Sequence, residues 1–152
     1  MMKETFPVVP AGGGPVWILV GLAVILLGLT ALFGYMVYAS RHVRCEVTPQ
    51  ELRIAGDIYG RRIPMEAISL DGAKVIDLGR DEEYRFKWRT NGTGLPGYSA
   101  GWFRLRNGEK ALAFVTDRRR VLYLPTRKGY SILLSVADPD AMLAALRRAG
   151  AR

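Results

Sequence analysis

From Pro15 to Ala39 the chain holds no charged residue, and nearly every position is apolar. As an α-helix, residues 16–39 rise roughly 36 Å, more than the ~30 Å hydrocarbon core of a bilayer. A chain of 152 residues has too few others to bury such a helix on all sides. Trp17 stands at one end and Tyr35 and Tyr38 at the other, where amphipathic rings settle among head groups. Residues 16–39 therefore predict a single transmembrane helix. Residues 1–15, with Pro7, Pro10 and three consecutive glycines, predict a disordered terminus. A cleaved signal peptide competes, because Val37-Tyr38-Ala39 roughly fits a small-residue cleavage site. The apolar run is too long for that reading, and its basic flank is on the wrong side.

The flanks set a direction. Arg41 and Arg44 follow the run at once, with Arg53, Arg61 and Arg62 close behind, whereas Lys3 before it is offset by Glu4. The positive-inside rule then places residues 41–152 in the cytoplasm, on a single-pass protein of the inner (plasma) membrane. Gly21, Gly28 and Gly34 lack the four-residue spacing of a close helix–helix contact, so homo-oligomerisation stays open.

The net charge is +8, and the first 39 residues hold only Lys3 and Glu4, so the whole excess lies beyond the apolar run. Such a surface suits an anionic partner: phospholipid, nucleic acid or an acidic protein. Attachment to a bilayer makes anionic lipid the nearest candidate. Chemistry is more restricted. Cys45 is the only cysteine, which excludes an intrachain disulfide or a thiolate metal cluster. His42 is the only histidine, which argues against zinc sites and Ser-His-Asp catalysis. Asp81, Glu82 and Glu83 read as solvated carboxylates of a turn. No catalytic residue, metal site or cofactor is expected.

Beyond residue 41 strand signals dominate. Residues 43–47 and 52–55 flank Thr48-Pro49-Gln50-Glu51, a tight connection. Residues 58–63 follow a Gly56-Asp57 break, Pro64 opens one helical turn, and residues 73–78 make another strand. Asn107-Gly108 between residues 102–106 and 110–116 predicts a type I′ hairpin. Residues 121–124 and 130–136 supply two more strands. Asp138 as N-cap, Pro139 in the first turn and Met142, Leu143 and Leu146 on one stripe predict a closing helix, ended near Gly150. Together these make a mainly β domain, a small sandwich or partly open barrel of about seven strands, capped by one helix.

Two features bear on binding. Residues 84–89 alternate aromatic and basic, so a regular strand puts Arg85, Lys87 and Arg89 on one face. Arg104 and Arg106 project alike from the next strand. As neighbours, the five would form a patch for anionic lipid; the alternative is the solvated outer face of a sheet. The interleaved rings point to the core on this reading, so nucleic acid is not an expected partner. Next, residues 91–101 form a glycine-rich loop. Gly92-Thr93-Gly94-Leu95-Pro96-Gly97 matches the dinucleotide spacing, but Trp102 opens a strand where that motif needs a helix. The loop reads as a bent connection whose Leu95, Tyr98 and Trp102 offer apolar anchors to a protein partner.

The segments Val47-Thr48-Pro49-Gln50-Glu51-Leu52-Arg53-Ile54 and Arg62-Ile63-Pro64-Met65-Glu66-Ala67-Ile68, with the run from Arg89 through Gly101-Trp102-Phe103, resemble bacterial pleckstrin-homology-like (PH-like) domains of the membrane-associated kind. The resemblance continues through Ala113-Phe114-Val115-Thr116-Asp117 and Val121-Leu122-Tyr123-Leu124-Pro125-Thr126 to Leu134-Ser135-Val136-Ala137-Asp138-Pro139, covering about residues 43–149. It implies a bent seven-stranded sheet or partly open barrel with a capping C-terminal helix. Eukaryotic relatives of that fold often bind phosphoinositides or peptides, whereas the bacterial domains mostly have no assigned ligand. The expected organisation is a terminus over 1–15, a transmembrane helix over 16–39 and a PH-like domain over 41–152. The expected role is an interaction module that recruits a protein or engages the anionic inner leaflet. A structural subunit that uses the domain for oligomerisation is the competing role.

Overall fold

The computed structural model describes residues 4, 7, 9, 12–56 and 58–151, and for Ala39 and Ser40 the backbone alone. The expected disordered terminus lies largely outside these residues, as does Asp57 of the expected break. The chain divides into two compact units, residues 1–38 and 39–152.

Helix α1 (Gly14–His42) begins two residues before the predicted span and continues past it. Its stretch Gly14–Tyr38 is long and apolar enough to cross a membrane, and none of it is buried. Trp17, Tyr35 and Tyr38 are exposed on it, and Arg41 lies in its last turn. The hydroxyl of Thr30 donates to the Leu26 carbonyl at 2.8 Å, so this polar side chain is satisfied within the helix.

Among its described residues the second unit holds nine strand segments where about seven were expected. Strands β1 (Arg44–Val47), β2 (Glu51–Ala55) and β3 (Arg62–Pro64) form one antiparallel sheet. The predicted strand over 58–63 is reduced to its last residues. The other six are β4 (Lys74–Ile76), β5 (Phe86–Leu95), β6 (Tyr98–Leu105), β7 (Lys110–Val115), β8 (Val121–Pro125) and β9 (Ser131–Leu134). They make a second sheet in the order β4-β8-β9-β7-β6-β5, where β9 lies between β8 and β7 and runs parallel to β7. Helix α2 (Pro139–Gly150) follows, with the Asp138 carboxylate accepting from the Ala141 N–H at 2.9 Å as the N-cap reading requires.

Burial on both faces of the central strands creates two cores. Leu112, Phe114, Leu122, Leu124, Ile132 and Leu134 face the first sheet and α2, joining Leu52, Ile54, Ile63 and Leu146. Ala111, Ala113, Val115, Val121, Tyr123 and Leu133 face the other way, joining Ile76, Leu78, Tyr84, Phe103 and Leu105. The segment between β4 and β5 contributes two of these residues, Leu78 and Tyr84, the latter in a 3₁₀ turn (Glu82–Tyr84) with its ring 4.7 Å from that of Tyr123.

Two turns differ from expectation. The β6–β7 connection is not a type I′ turn, because among Asn107 and Gly108 only Gly108 has positive φ, +90°. The Gly108 N–H donates to the Leu105 carbonyl at 3.1 Å and the Leu105 N–H to Glu109 at 2.9 Å, a three-residue loop with a bulge at glycine. Nor are residues 91–101 a loop. They continue β5 into β6 as a hairpin turning at Pro96-Gly97, with Gly92 opposite Gly101.

Candidate functional site

Two bulges break the alternation expected of residues 84–89. Phe86 pairs with Leu105, but the next pair is Trp88 with Arg104, which leaves Lys87 as the extra residue; a second shift lies between Arg89 and Asn91. A bulge reverses the facing of the residues beyond it. Phe86 therefore stacks on Phe103 in the second core at 4.4 Å, whereas Trp88 turns to the opposite face and is 52% exposed. The aromatics do not all point inward.

The five candidate cations consequently separate. Arg85 precedes the strand and is tied down: its Nε donates to the Leu78 carbonyl at 3.0 Å, its Nη2 to the Gly79 carbonyl, and its Nη1 meets Glu82 at 3.2 Å. Arg106 meets the same Glu82 at 3.6 Å. Arg104 stands across from Trp88 on the other face, its Nη1 donating to the Gly108 carbonyl at 2.8 Å. The Lys87 ammonium lies 4.9 Å from the centre of the Trp88 ring. Arg89 pairs with Phe103 and is exposed.

The expected partner loop is likewise dispersed. Tyr98 is buried in the first core, and Leu95 is half-buried opposite it at the hairpin end. Trp102, on the face shared by Tyr98 and Arg104, is the centre of a different cluster. The Arg61 guanidinium lies 5.1 Å and the Lys110 ammonium 4.5 Å from its ring centre, while Tyr130 meets it edge-on at 5.0 Å. Beside it runs the cross-strand row Trp88, Arg104, Lys110. The connection from β2 to β3 reaches the same place, with the Tyr59 hydroxyl donating to Asn91 Oδ1 at 3.3 Å. Ile58 in that connection is 77% exposed, and with Trp88 it is one of the two large apolar side chains exposed outside α1 and the terminus, among the described residues.

Among the described residues, the electrostatics of this face are one-sided. Ion pairs among the described residues involve Arg53, Arg62, Arg80, Arg85, Arg106 and Arg120. Arg61, Lys87, Arg104 and Lys110 have no carboxylate partner there; ring faces hold three of them, Arg61, Lys87 and Lys110, through the aromatic quadrupole. Glu109, next to Lys110 in sequence, is engaged elsewhere, accepting from the Tyr123 hydroxyl at 2.8 Å and the Ser131 hydroxyl at 2.7 Å. Burial pushes the Tyr123 hydroxyl up to about 12. Like charges gathered without counter-charge are stabilised when an anionic partner supplies it.

Sequence reasoning missed Arg61, Lys110 and Ile58. Lys110 was within reach, because a three-residue β6–β7 loop sets it opposite Arg104. Arg61 was not, since its approach to Trp102 spans 41 positions and depends on how the two sheets meet. Cys45 lines a small cavity of about 200 Å³ with Val43, Tyr98, Phe114 and Leu134. Burial pushes its thiol up to about 11, so it is a protonated apolar residue near neutral pH. No group of three or more metal-ligating side chains occurs among the described residues.

Two sheets closed by a C-terminal helix, with a basic and aromatic face set across strands, define a small, mainly β domain. Residues 43–150 match the family described as Bacterial PH domain, and the chain belongs to it. The fold is accordingly PH-like, as the resemblance implied. No curated protein and no solved structure matches the chain.

Proposed function

We propose that this protein is a single-pass, membrane-anchored PH module whose cytoplasmic domain lays its Trp102-centred face on the anionic inner leaflet. The observation that carries the reading is the group Arg61, Lys87, Arg104 and Lys110, four cations without a carboxylate partner among the described residues, around Trp88 and Trp102. Each cation held near an anionic leaflet contributes about 1 kcal/mol, falling off within a Debye length. An exposed indole beside them suits the head-group layer, where tryptophan is favoured. The arginines after α1 favour the same side of the membrane, since positive flanks stay cytoplasmic.

The test uses the full chain carrying Trp17→Phe, so that emission reports Trp88 and Trp102, in neutral and in anionic nanodiscs. Anionic discs are expected to shift the emission to the blue, and high salt to reverse the shift. Combining Arg61→Gln, Arg104→Gln and Lys110→Gln removes about 3 kcal/mol, on the order of 100-fold in the docked population. Identical spectra in both discs at low salt would sink the proposal. For orientation, a reporter fused after Arg152 should be active in the cytoplasm; periplasmic activity would reverse the topology.

A further inference from the structure

A second basic site lies on the other side of the β5–β6 ribbon. Leu78, Gly79, Arg85, Phe86, Arg106 and Arg118 line a groove of about 340 Å³, near the lower end of the ~300–1,000 Å³ common for small-molecule sites. Its three arginines come from three separate connections: β4–β5, β6–β7 and β7–β8. Backbone hydrogen bonds lock those connections together, with the Arg106 N–H donating to the Arg85 carbonyl at 2.9 Å and the Leu78 N–H to the Arg118 carbonyl at 2.8 Å. Arg85 is further held by the Leu78 and Gly79 carbonyls, so its guanidinium is positioned before any ligand arrives.

The donor count leaves the groove unsatisfied. A guanidinium has five N–H donors, and Arg85 commits three of them to Leu78, Gly79 and Glu82. Arg106 has Glu82 alone as a side-chain partner, and the Arg118 side chain has none among the described residues. The three guanidinium groups of the lining meet one carboxylate, Glu82, while the Asp77 carboxylate beside Gly79 is paired with Arg80, so among the described residues the lining keeps an excess of two positive charges. That matches a phosphate monoester, which carries about −1.5 to −2 near neutral pH, and planar guanidinium forks suit its oxygens. Phe86 and Leu78 give the groove an apolar wall.

We propose that this groove binds a phosphate monoester dianion, with Arg118 and Arg106 closing on its oxygens and Arg85 as the fixed floor. The shared chemistry is the phosphate; it is supplied either by a soluble phosphate or by a lipid whose head group is a bare phosphate. The experiment places the full chain in phosphatidylcholine nanodiscs and follows thermal unfolding while inorganic phosphate replaces chloride at matched ionic strength. A saturable rise in melting temperature is expected, with Arg118→Gln and Arg106→Gln each weakening it about tenfold. Arg61→Gln with Lys110→Gln should leave it unchanged, which separates this site from the membrane face. A second arm, in the Arg61→Gln, Arg104→Gln, Lys110→Gln background that disables the membrane face, replaces part of the lipid with phosphatidic acid. Stabilisation there that Arg118→Gln removes, with free phosphate silent, identifies the lipid as the source. The proposal is overturned if neither phosphate source stabilises the protein, or if the effect persists in Arg118→Gln. Arg118 is exposed at a turn, so that variant is expected to fold.

Discussion

Gly101→Ala is expected to destabilise the domain by about 3 kcal/mol, lowering its melting temperature by roughly 10 °C. Gly101 lies in the interior of β6, buried, between Gly92 of β5 and Ala113 of β7. Its φ of +113° is a conformation that side-chain-bearing residues adopt at a cost of about 1–3 kcal/mol. A Cβ there would stand 2.5 Å from the Gly92 Cα and 2.6 Å from the Asn91 carbonyl oxygen. Overlaps of that size force the strands apart, adding about 1–3 kcal/mol. Gly97→Ala is the matched control. Gly97 has φ +80° in the hairpin turn, but open space surrounds it, so only the conformational part is lost there. Thermal unfolding of both variants in detergent tests the idea. Equal losses would mean that the close approach of β5 and β6 contributes nothing. The Gly101 variant should also disturb the emission of Trp102, its neighbour in the strand.

Leu146→Ala is expected to cost about 2–5 kcal/mol. Leu146 is completely buried, the one apolar side chain of α2 that reaches full burial beyond its opening Pro139. It inserts into the first core beside Met142, Leu143 and Ala149, which are only partly covered. Truncating it leaves a cavity that strands on both sides hold open, and the helix loses its main attachment. Arg147→Ala, one residue on and exposed, should change stability by no more than about 0.5 kcal/mol. Denaturant unfolding distinguishes them. A Leu146→Ala midpoint close to that of Arg147→Ala would show that α2 is an accessory to the fold.

Much of this architecture was legible from local pattern. The uncharged run yielded α1, the Asp138-Pro139 cap and the Leu146 stripe yielded α2, and short alternating runs located β1, β2 and β8. The failures share one cause. Lys87 is a bulge residue, and nothing in an alternating aromatic–basic sequence marks where the ladder skips. Residues 91–101 looked like a loop because glycine is rare inside strands. The Gly92–Gly101 pair exists because two strands approach where no side chain fits. The position of β9 between β7 and β8 was also invisible, since neighbours in sequence are the default neighbours in a sheet.

What the chain decides alone is whatever depends on transfer of contiguous residues between solvents: an apolar helix, a basic remainder, alternating strands and a capped amphipathic end. It also decides what is scarce, one histidine and one cysteine. The tertiary structure decided which cations stand together. Arg104 joined Lys110 and Arg61 around Trp102, while Arg85 and Arg106 joined Arg118 across the ribbon. That division follows from ladder register and strand order, which are set by the long-range pairing that buries both faces of β7, β8 and β9 at once, and no local window contains that choice.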